Sequence, residues 1–236
     1  MGIYVETRIR GAIDDLWERT QSPNLHSQWD LRFSAIHYLP RPNPAHAQRF
    51  QYVTRIGFGL RVHGVGETVG ERETGNGRRT SALKFWSDDP KSPIAVGSGY
   101  WQYLPTGHDV CFLTWYDYQT RFGFAGRIFD RLMFRPLLGW ATAWSFDRLR
   151  LWIEQDIEPK TALQSSVAHG LARTGMACLA SCIVWIRFQR RSPLLVRGVT
   201  LAAILVGLLW PVPDTIPAAR RCRRRPQRQR TRYTAH

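Results

Sequence analysis

Acid is nearly missing from the last third of the chain. Residues 160–236 carry one acidic side chain, Asp214, against 14 Lys and Arg, whereas residues 1–159 hold 17 acids and 19 bases. Nearly all of the net +15 therefore sits in the C-terminal segment. This separation argues against a basic patch built into a nucleic-acid-binding fold. It describes a near-neutral globular part joined to a basic, membrane-seeking tail. Cysteine is scarce as well. Cys111, Cys178, Cys182 and Cys222 form no CxxC pair, and no histidine is spaced with them as in a zinc site, so reduced and mostly buried thiols are expected. His37 and His63 are single histidines in strands with no second ligand in range, and neither metal nor cofactor is expected. P-loop, GxSxG, HExxH and Rossmann fingerprints are absent. Gly57-Phe58-Gly59 and Gly97-Ser98-Gly99 are strand-end or bulge glycines, not phosphate cradles. No apolar leader opens the chain. MGIYVETRIR alternates and is charged, so the N-terminal domain is expected in the cytoplasm. Glu6 stands where a myristoylation signal needs Ser or Thr.

What is abundant is aromatic area. Eight of the ten Trp lie within residues 1–159, and rings of that size demand a large core, a lined cavity, or both. A segment of this length buries a core without disulfides or metal. Ile3–Ile9 alternates as a half-buried strand. Ile13, Leu16 and Trp17 mark a short amphipathic helix over Ala12–Thr20, with Asp14 and Asp15 in its first turn. Pro23 opens a second short helix to Trp29, with Ser22 as N-cap. Strands follow over Leu31–Leu39, Phe50–Ile56, Leu60–Gly66, Thr68–Thr74, Arg79–Ser87, Ala95–Leu104 and Val110–Thr120. Gly75-Asn76-Gly77 is the clearest hairpin signal. From Phe124 to Asp156 the period becomes helical, with Pro136 expected to kink the first third. About seven strands in hairpin order form a mainly antiparallel α+β meander. A twisted sheet of this kind curls around one long helix and leaves a cavity between them.

This chain resembles the SRPBCC superfamily (START, Bet v 1 and polyketide-cyclase-like proteins), a helix-grip fold. The likeness rests on the opening strand YVETRIRG, the two short helices in AIDDLWERTQSPNLHSQWD ending at Trp29, the sheet, and the closing helix ATAWSFDRLRLWIEQ. It covers residues 1–157. HGLARTGMACLASCIVWI is similar to the first helix of a DoxX-like membrane segment, and the similarity fades after Ile186. The resemblance implies an apolar ligand, such as a lipid, sterol or polyketide, held in the cavity. Some members cyclise or hydrate theirs, but the superfamily shares no catalytic residue that carries over to a position here.

Residues 158–213 read as a hydrophobic, membrane-associated segment, with helices at about 166–187 and 194–213. Uncharged runs cover only Thr174–Ile186 and Gly198–Pro213, short of the ~20 residues of a full span. Two short spans are the preferred reading; two interfacial helices or one span are the others. The tail 214–236, with eight Arg between Arg220 and Arg232, is expected to be disordered. It fits a cluster attracted to anionic lipid, a nucleic-acid-binding tail, or a functionless extension; no specific nucleic acid is expected. Two spans keep that tail and the domain on the cytoplasmic side, although Arg187, Arg190 and Arg191 then face outward.

Candidate ligand contacts are Trp86, Tyr100, Trp101, Tyr103, Trp115, Tyr116, Tyr118 and Trp144. In Val110–Thr120 the alternation offers two faces, Phe112, Thr114, Tyr116 and Tyr118 or Cys111, Leu113, Trp115 and Asp117, and does not say which lines the cavity. Asp117, between two tyrosines, is the one weak catalytic candidate, as a cavity acid–base group with Lys84 or an Arg or as a cross-strand ion pair on the solvent face. Three functions remain open: a membrane-tethered binder of an apolar small molecule (lipid, polyketide or quinone-like), a cyclase/hydratase-like enzyme using a cavity Asp or Tyr, and an interaction protein whose core is packed shut by Trp86, Trp101, Trp115 and Trp144. Ending the chain after Pro159 is expected to leave a folded domain.

Overall fold

A computed structural model describes residues 2–43, 46–57, 59–189, 198 and 211–226. The chain divides into two compact units, Met1–Pro159 with Ala218–His236, and Lys160–Pro217.

The first unit is a helix-grip fold. Strand β1 (Ile3–Arg10) is followed by α1 (Ile13–Gln21) and α2 (Pro23–Trp29). Six strands follow: β2 (Ala35–Tyr38), β3 (Gln48–Gly57), β4 (Leu60–Glu73), β5 (Arg79–Trp86), β6 (Ile94–Thr106) and β7 (Asp109–Thr120). They form one seven-stranded sheet in the order β1-β7-β6-β5-β4-β3-β2, and every neighbouring pair is antiparallel. Register shifts at Arg55/Gly57, Thr68/Gly70 and Ile94/Val96 add the local twist that bends a strand. Short helix α3 (Gly123–Phe129), a π-helical turn (Asp130–Phe134) and long helix α4 (Arg135–Gln155) close the domain.

Alternation decides the two faces of β7. Phe112, Thr114, Tyr116 and Tyr118 point inward and are buried, while Trp115 is exposed. They meet Ile3, Val5 and Ile9 of β1, Trp101 and Tyr103 of β6, and Ala143, Phe146 and Leu149 of α4. The rings of Phe112 and Phe146 stack 4.5 Å apart. Burying each such side chain is worth roughly 1.5–3 kcal/mol, so sheet and helix are joined chiefly through this layer.

Three expectations change. Leu60–Gly66 and Thr68–Thr74 are one strand, β4, bent at a bulge and not broken. The strand expected from Leu31 begins at Ala35, because Asp30–Arg32 is committed to a buried ion pair described below. Pro136 produces no isolated kink. It sits in the first turn of α4, directly after the π-helical turn, whose wider spacing accommodates a residue without an N–H.

The C-terminal tail also differs from expectation. Residues 218–223 are ordered on the domain, not disordered. Glu6 and Arg223 exchange both main-chain hydrogen bonds, at 2.9 and 2.8 Å, so this segment pairs with the free edge of β1. Asp147 of α4, fully buried, accepts from the Ala218 amide at 2.8 Å and from Arg221 at 2.9 Å. Ala219 and Cys222 join the core. Residues 227–236 lie outside the described residues.

Helix α5 runs from Pro159 to Gln189 and, from Lys160 onward, belongs to the second unit. It exposes Leu163, Val167, Leu171, Met176, Leu179, Ile183, Trp185 and Ile186. Among the described residues no helix is long and apolar enough to cross a membrane. The span expected at 166–187 is therefore corrected: Arg173, His169 and Ser166 interrupt its first half. Most of the second expected segment, 194–213, lies outside the described residues.

Candidate functional site

Between the concave face of the sheet and α4 lies a cavity of about 610 Å³, well within the ~300–1,000 Å³ of small-molecule sites. Its wall is mostly apolar. Ile36, Phe50, Tyr52 and Val62 come from β2–β4, Leu83 and Phe85 from β5, and Leu137, Leu138 and Ala141 from α4. Two glycines shape one side. Gly64 and Gly66 pair with Tyr52 and Phe50, and a Cβ on either would come within 2.2 Å of the ring. Only glycine lets the two rings lie flat along β4.

Polar groups gather at one end. Arg32 lines the cavity and is bound to Asp30 through Nε, at 2.9 Å to Oδ1, and Nη2, at 2.6 Å to Oδ2. Asp30 also accepts from His26 Nε2 at 3.1 Å. Burial would push the Asp30 carboxyl up, but the Arg32 charge and the hydrogen bonds from His26 and Arg32 outweigh it and hold the group well below the usual carboxylate range. Asp30 in turn outweighs the effect of burial on Arg32 and keeps the guanidinium charged. His26 is shifted the other way. Burial lowers its pKa more than Asp30 restores it, so it stands neutral, stacked on Trp29 at 5.0 Å and edge-on to Trp101 at 4.9 Å. Tyr116 completes the cluster. Its ring lies 5.4 Å from the guanidinium, and its hydroxyl is 2.8 Å from that of Thr142. Thr142 donates its own proton to Leu138 O at 2.8 Å, so Tyr116 is the donor in that pair.

The residues singled out from sequence divide clearly. Trp101 and Tyr116 line the cavity with side chains from the concave face. Tyr100 also touches it, but its ring stacks 6.0 Å from Trp115 on the outer face, so its contribution is main chain. Tyr103 is fully buried between Trp17 and Phe112 and hydrogen-bonds the wall residues Thr20 at 2.6 Å and Gln21 at 2.9 Å, supporting the wall from behind without lining the cavity itself. Trp86, Trp115, Tyr118 and Trp144 do not line it either. Tyr118 donates to Asp130 at 2.5 Å. Asp117 points away from the cavity and pairs with Arg135 Nη1 at 2.9 Å, while Arg135 Nε reaches Asp130 at 2.8 Å. That network ties the π-helical turn to β7. A core packed shut by Trp86, Trp101, Trp115 and Trp144 is overturned by the cavity, since only Trp101 of the four borders it.

Arg32, Asp30 and His26 were missed in the sequence. A faint signal exists: an acid and an Arg two residues apart directly after a Trp, in a segment otherwise read as strand. Buried side-chain atoms with no hydrogen bond are, among the described residues, Arg79 Nε, which pairs with Glu73 at 3.4 Å by charge alone, Arg121 Nε and His169 Nε2, none of them on the cavity wall.

A helix-grip domain enclosing an apolar cavity with one charged end defines the class. The chain belongs to the family of the Bacillus subtilis (strain 168) uncharacterized membrane protein YndG. It is 46% identical to that protein over 214 residues, 89% of this chain and 77% of that one. That share exceeds residues 1–159, so the likeness reaches beyond the domain. No family model matches. Among solved structures the chain is similar to a STAR-related lipid transfer protein of Xanthomonas axonopodis, with 16% identity, 64% of this chain and 85% of that one covered, and a TM-score of 0.48. A conserved protein from Geobacillus kaustophilus shows 9% identity, 65% and 95% coverage, and a TM-score of 0.48. These are likenesses of outline, and the site is read from its own geometry.

Proposed function

We propose that this protein binds an amphipathic small molecule, in the class of lipids, polyketides or quinone-like compounds, and does so at a membrane. The observation that carries the reading is the 610 Å³ cavity, apolar over most of its wall and polar at the Arg32–Tyr116 end. The apolar body of the ligand fills the space under Tyr52 and Leu83, and a hydrogen-bond acceptor on its head faces Arg32. Binding without turnover is favoured over cyclase or hydratase chemistry. At the polar end the wall residues are already engaged with groups behind them, Arg32 and His26 with Asp30 and Tyr116 with Thr142. A general acid or base needs a proton site facing substrate, and Asp117 faces Arg135 instead.

Membrane association is supported by the name of the Bacillus subtilis relative, by the exposed apolar side chains of α5, and by the basic C-terminal segment. Arg-rich sequence collects on the cytoplasmic side of bacterial membranes, and the domain is assigned to that face.

The test is native mass spectrometry of the full chain purified from its host, followed by organic extraction. A stoichiometric apolar molecule is expected. Ala141→Trp, which directs a large side chain into the cavity from α4, should abolish its retention while the urea midpoint stays unchanged. An empty wild-type chain that also fails to bind a fluorescent fatty acid would sink the proposal.

A further inference from the structure

The turn into α4 carries an apolar surface that the cavity alone does not explain. Phe122, Phe124, Ile128, Phe129, Leu132, Met133, Leu137 and Trp140 are all exposed. Phe124 and Leu132 are 72% and 71% accessible. Isolated apolar side chains on a surface are unremarkable, but a contiguous run marks an interaction site. Three of these residues have a double allegiance. Phe129, Met133 and Leu137 line the cavity and remain 47%, 61% and 58% exposed. One helical row is therefore both cavity wall and outer surface, which makes it the mouth.

The charges on this segment have one sign. Between Arg121 and Ala141 the acids reduce to Asp130, which is buried and held by Tyr118 and Arg135. Arg127 and Arg131 are exposed among the apolar side chains. An exposed apolar row interleaved with arginines and free of exposed acid matches an anionic bilayer surface: apolar side chains enter the acyl boundary and Arg stays at the phosphates. The local backbone is irregular at this point. The π-helical turn Asp130–Phe134 separates α3 from α4, and such turns interrupt the regular ladder.

We infer that residues 122–140 form a membrane-docking portal: the face of α3 and the start of α4 settles on an anionic lipid surface, and the ligand passes between bilayer and cavity beneath Phe129, Met133 and Leu137 without crossing water. The inference rests on the cavity being a ligand site. It goes beyond that reading in naming the surface that meets the bilayer and the route of entry. It is independent of α5 and the C-terminal arginines, which tether but do not open a cavity.

The experiment places an environment-sensitive NBD label on Leu132→Cys in the full chain, with Cys178→Ser and Cys182→Ser removing the exposed thiols. Cys111 is half-buried with its thiol pushed up to about 11 by burial, and Cys222 is buried and pushed up to about 12, so neither competes for label. A second chain carries the label at His108→Cys, at the other end of β7. On vesicles of phosphatidylcholine with phosphatidylglycerol, emission at position 132 should rise about twofold and shift to the blue, while position 108 stays unchanged. Arg127→Gln with Arg131→Gln should weaken that response by about fivefold per charge removed. The inference is overturned if the chain sediments with vesicles while the label at 132 stays as silent as at 108, or if the chain does not sediment at all. It is equally overturned if emission at 132 rises with protein concentration alone, which would assign the face to a second copy. Binding of a fluorescent fatty acid by the same labelled chain without vesicles reports the cavity separately. Loss of that binding with docking intact counts against the ligand reading, and the reverse counts against the portal.

Discussion

Asp30 is the residue on which the polar end of the cavity depends. It is fully buried, and its charge is compensated by a bidentate Arg32 and by His26. A buried pair of this kind adds little net stability, but removing one partner strands the other at a cost of about 3–5 kcal/mol. The arrangement therefore fixes geometry: Arg32 is held where its position on the wall is set by Asp30. The same cluster makes the domain sensitive to acid. In the folded state burial lowers the His26 pKa below its ordinary 6.5, so below about pH 6.5 the unfolded chain takes up a proton that the folded chain refuses. Stability from this group is complete above pH 6.5 and is lost as the pH falls toward the folded value. Asp30, also depressed, adds a second loss as the pH falls below 3.8. One proton corresponds to a slope of at most about 1.4 kcal/mol per pH unit. Urea midpoints at pH 7 and pH 5 should differ more for the wild type than for His26→Gln, which can still donate to Asp30. Equal differences in the two proteins would show that His26 does not carry the effect. Beyond the spacing of Asp30 and Arg32 after Trp29, none of this was visible in the sequence, because Leu31–Leu39 reads as a strand and periodicity says nothing about which charges will be buried together.

At the level of elements, the order of strands and helices was legible because hairpin turns and the change of period from two to 3.6 are local signals. Two things were not. The bulge near Val69 joins what read as two strands, since a Gly-rich bend and a turn look alike in sequence. Which face of β7 is inside depended on α4 lying across it, a long-range fact, so Trp115 and Asp117 stood as candidates beside Tyr116 although they occupy the outer face. The docking of residues 218–223 was hidden for a related reason. Eight arginines in Arg220–Arg232 read as a solvated run, yet Arg221 and Arg223 are committed to Asp147 and Glu6. The consequence is measurable. Asp147 accepts from Arg150, Arg221 and the Ala218 amide while fully buried. Asp147→Asn in the full chain removes a charge that three donors address, and should lower stability by about 2–3 kcal/mol in urea denaturation. A change under about 0.5 kcal/mol, the size of an ordinary surface substitution, would mean that the C-terminal strap is not seated on α4. By the same reasoning a chain ended after Pro159 is expected to lose the pairing along β1 together with the buried Ala219 and Cys222, and to be weaker than the sequence suggested.

At the scale of the whole molecule, the separation of charge and the apolar surfaces act through different ranges, and salt tells them apart. The segment from 160 onward holds 14 bases and one acid, and α5 exposes Leu171, Leu179 and Trp185. Attraction of exposed arginines to anionic lipid works over the Debye length, ~10 Å at 0.1 M salt and ~3 Å at 1 M. Burial of apolar side chains in the acyl boundary is not screened. If the basic segment draws the chain to the membrane and the apolar faces hold it there, association with anionic vesicles should slow at high salt while the bound fraction, once formed, persists. Stopped-flow mixing at both salt concentrations gives the association rate, and flotation after raising the salt gives the persistence. Complete release at 1 M would leave arginine as the whole of the attachment and would remove the apolar faces from the membrane-bound state. A rate indifferent to salt would show that the charge segregation does not steer the chain to lipid, and the arginines not engaged with Asp147 and Glu6 would then have no part in reaching the bilayer.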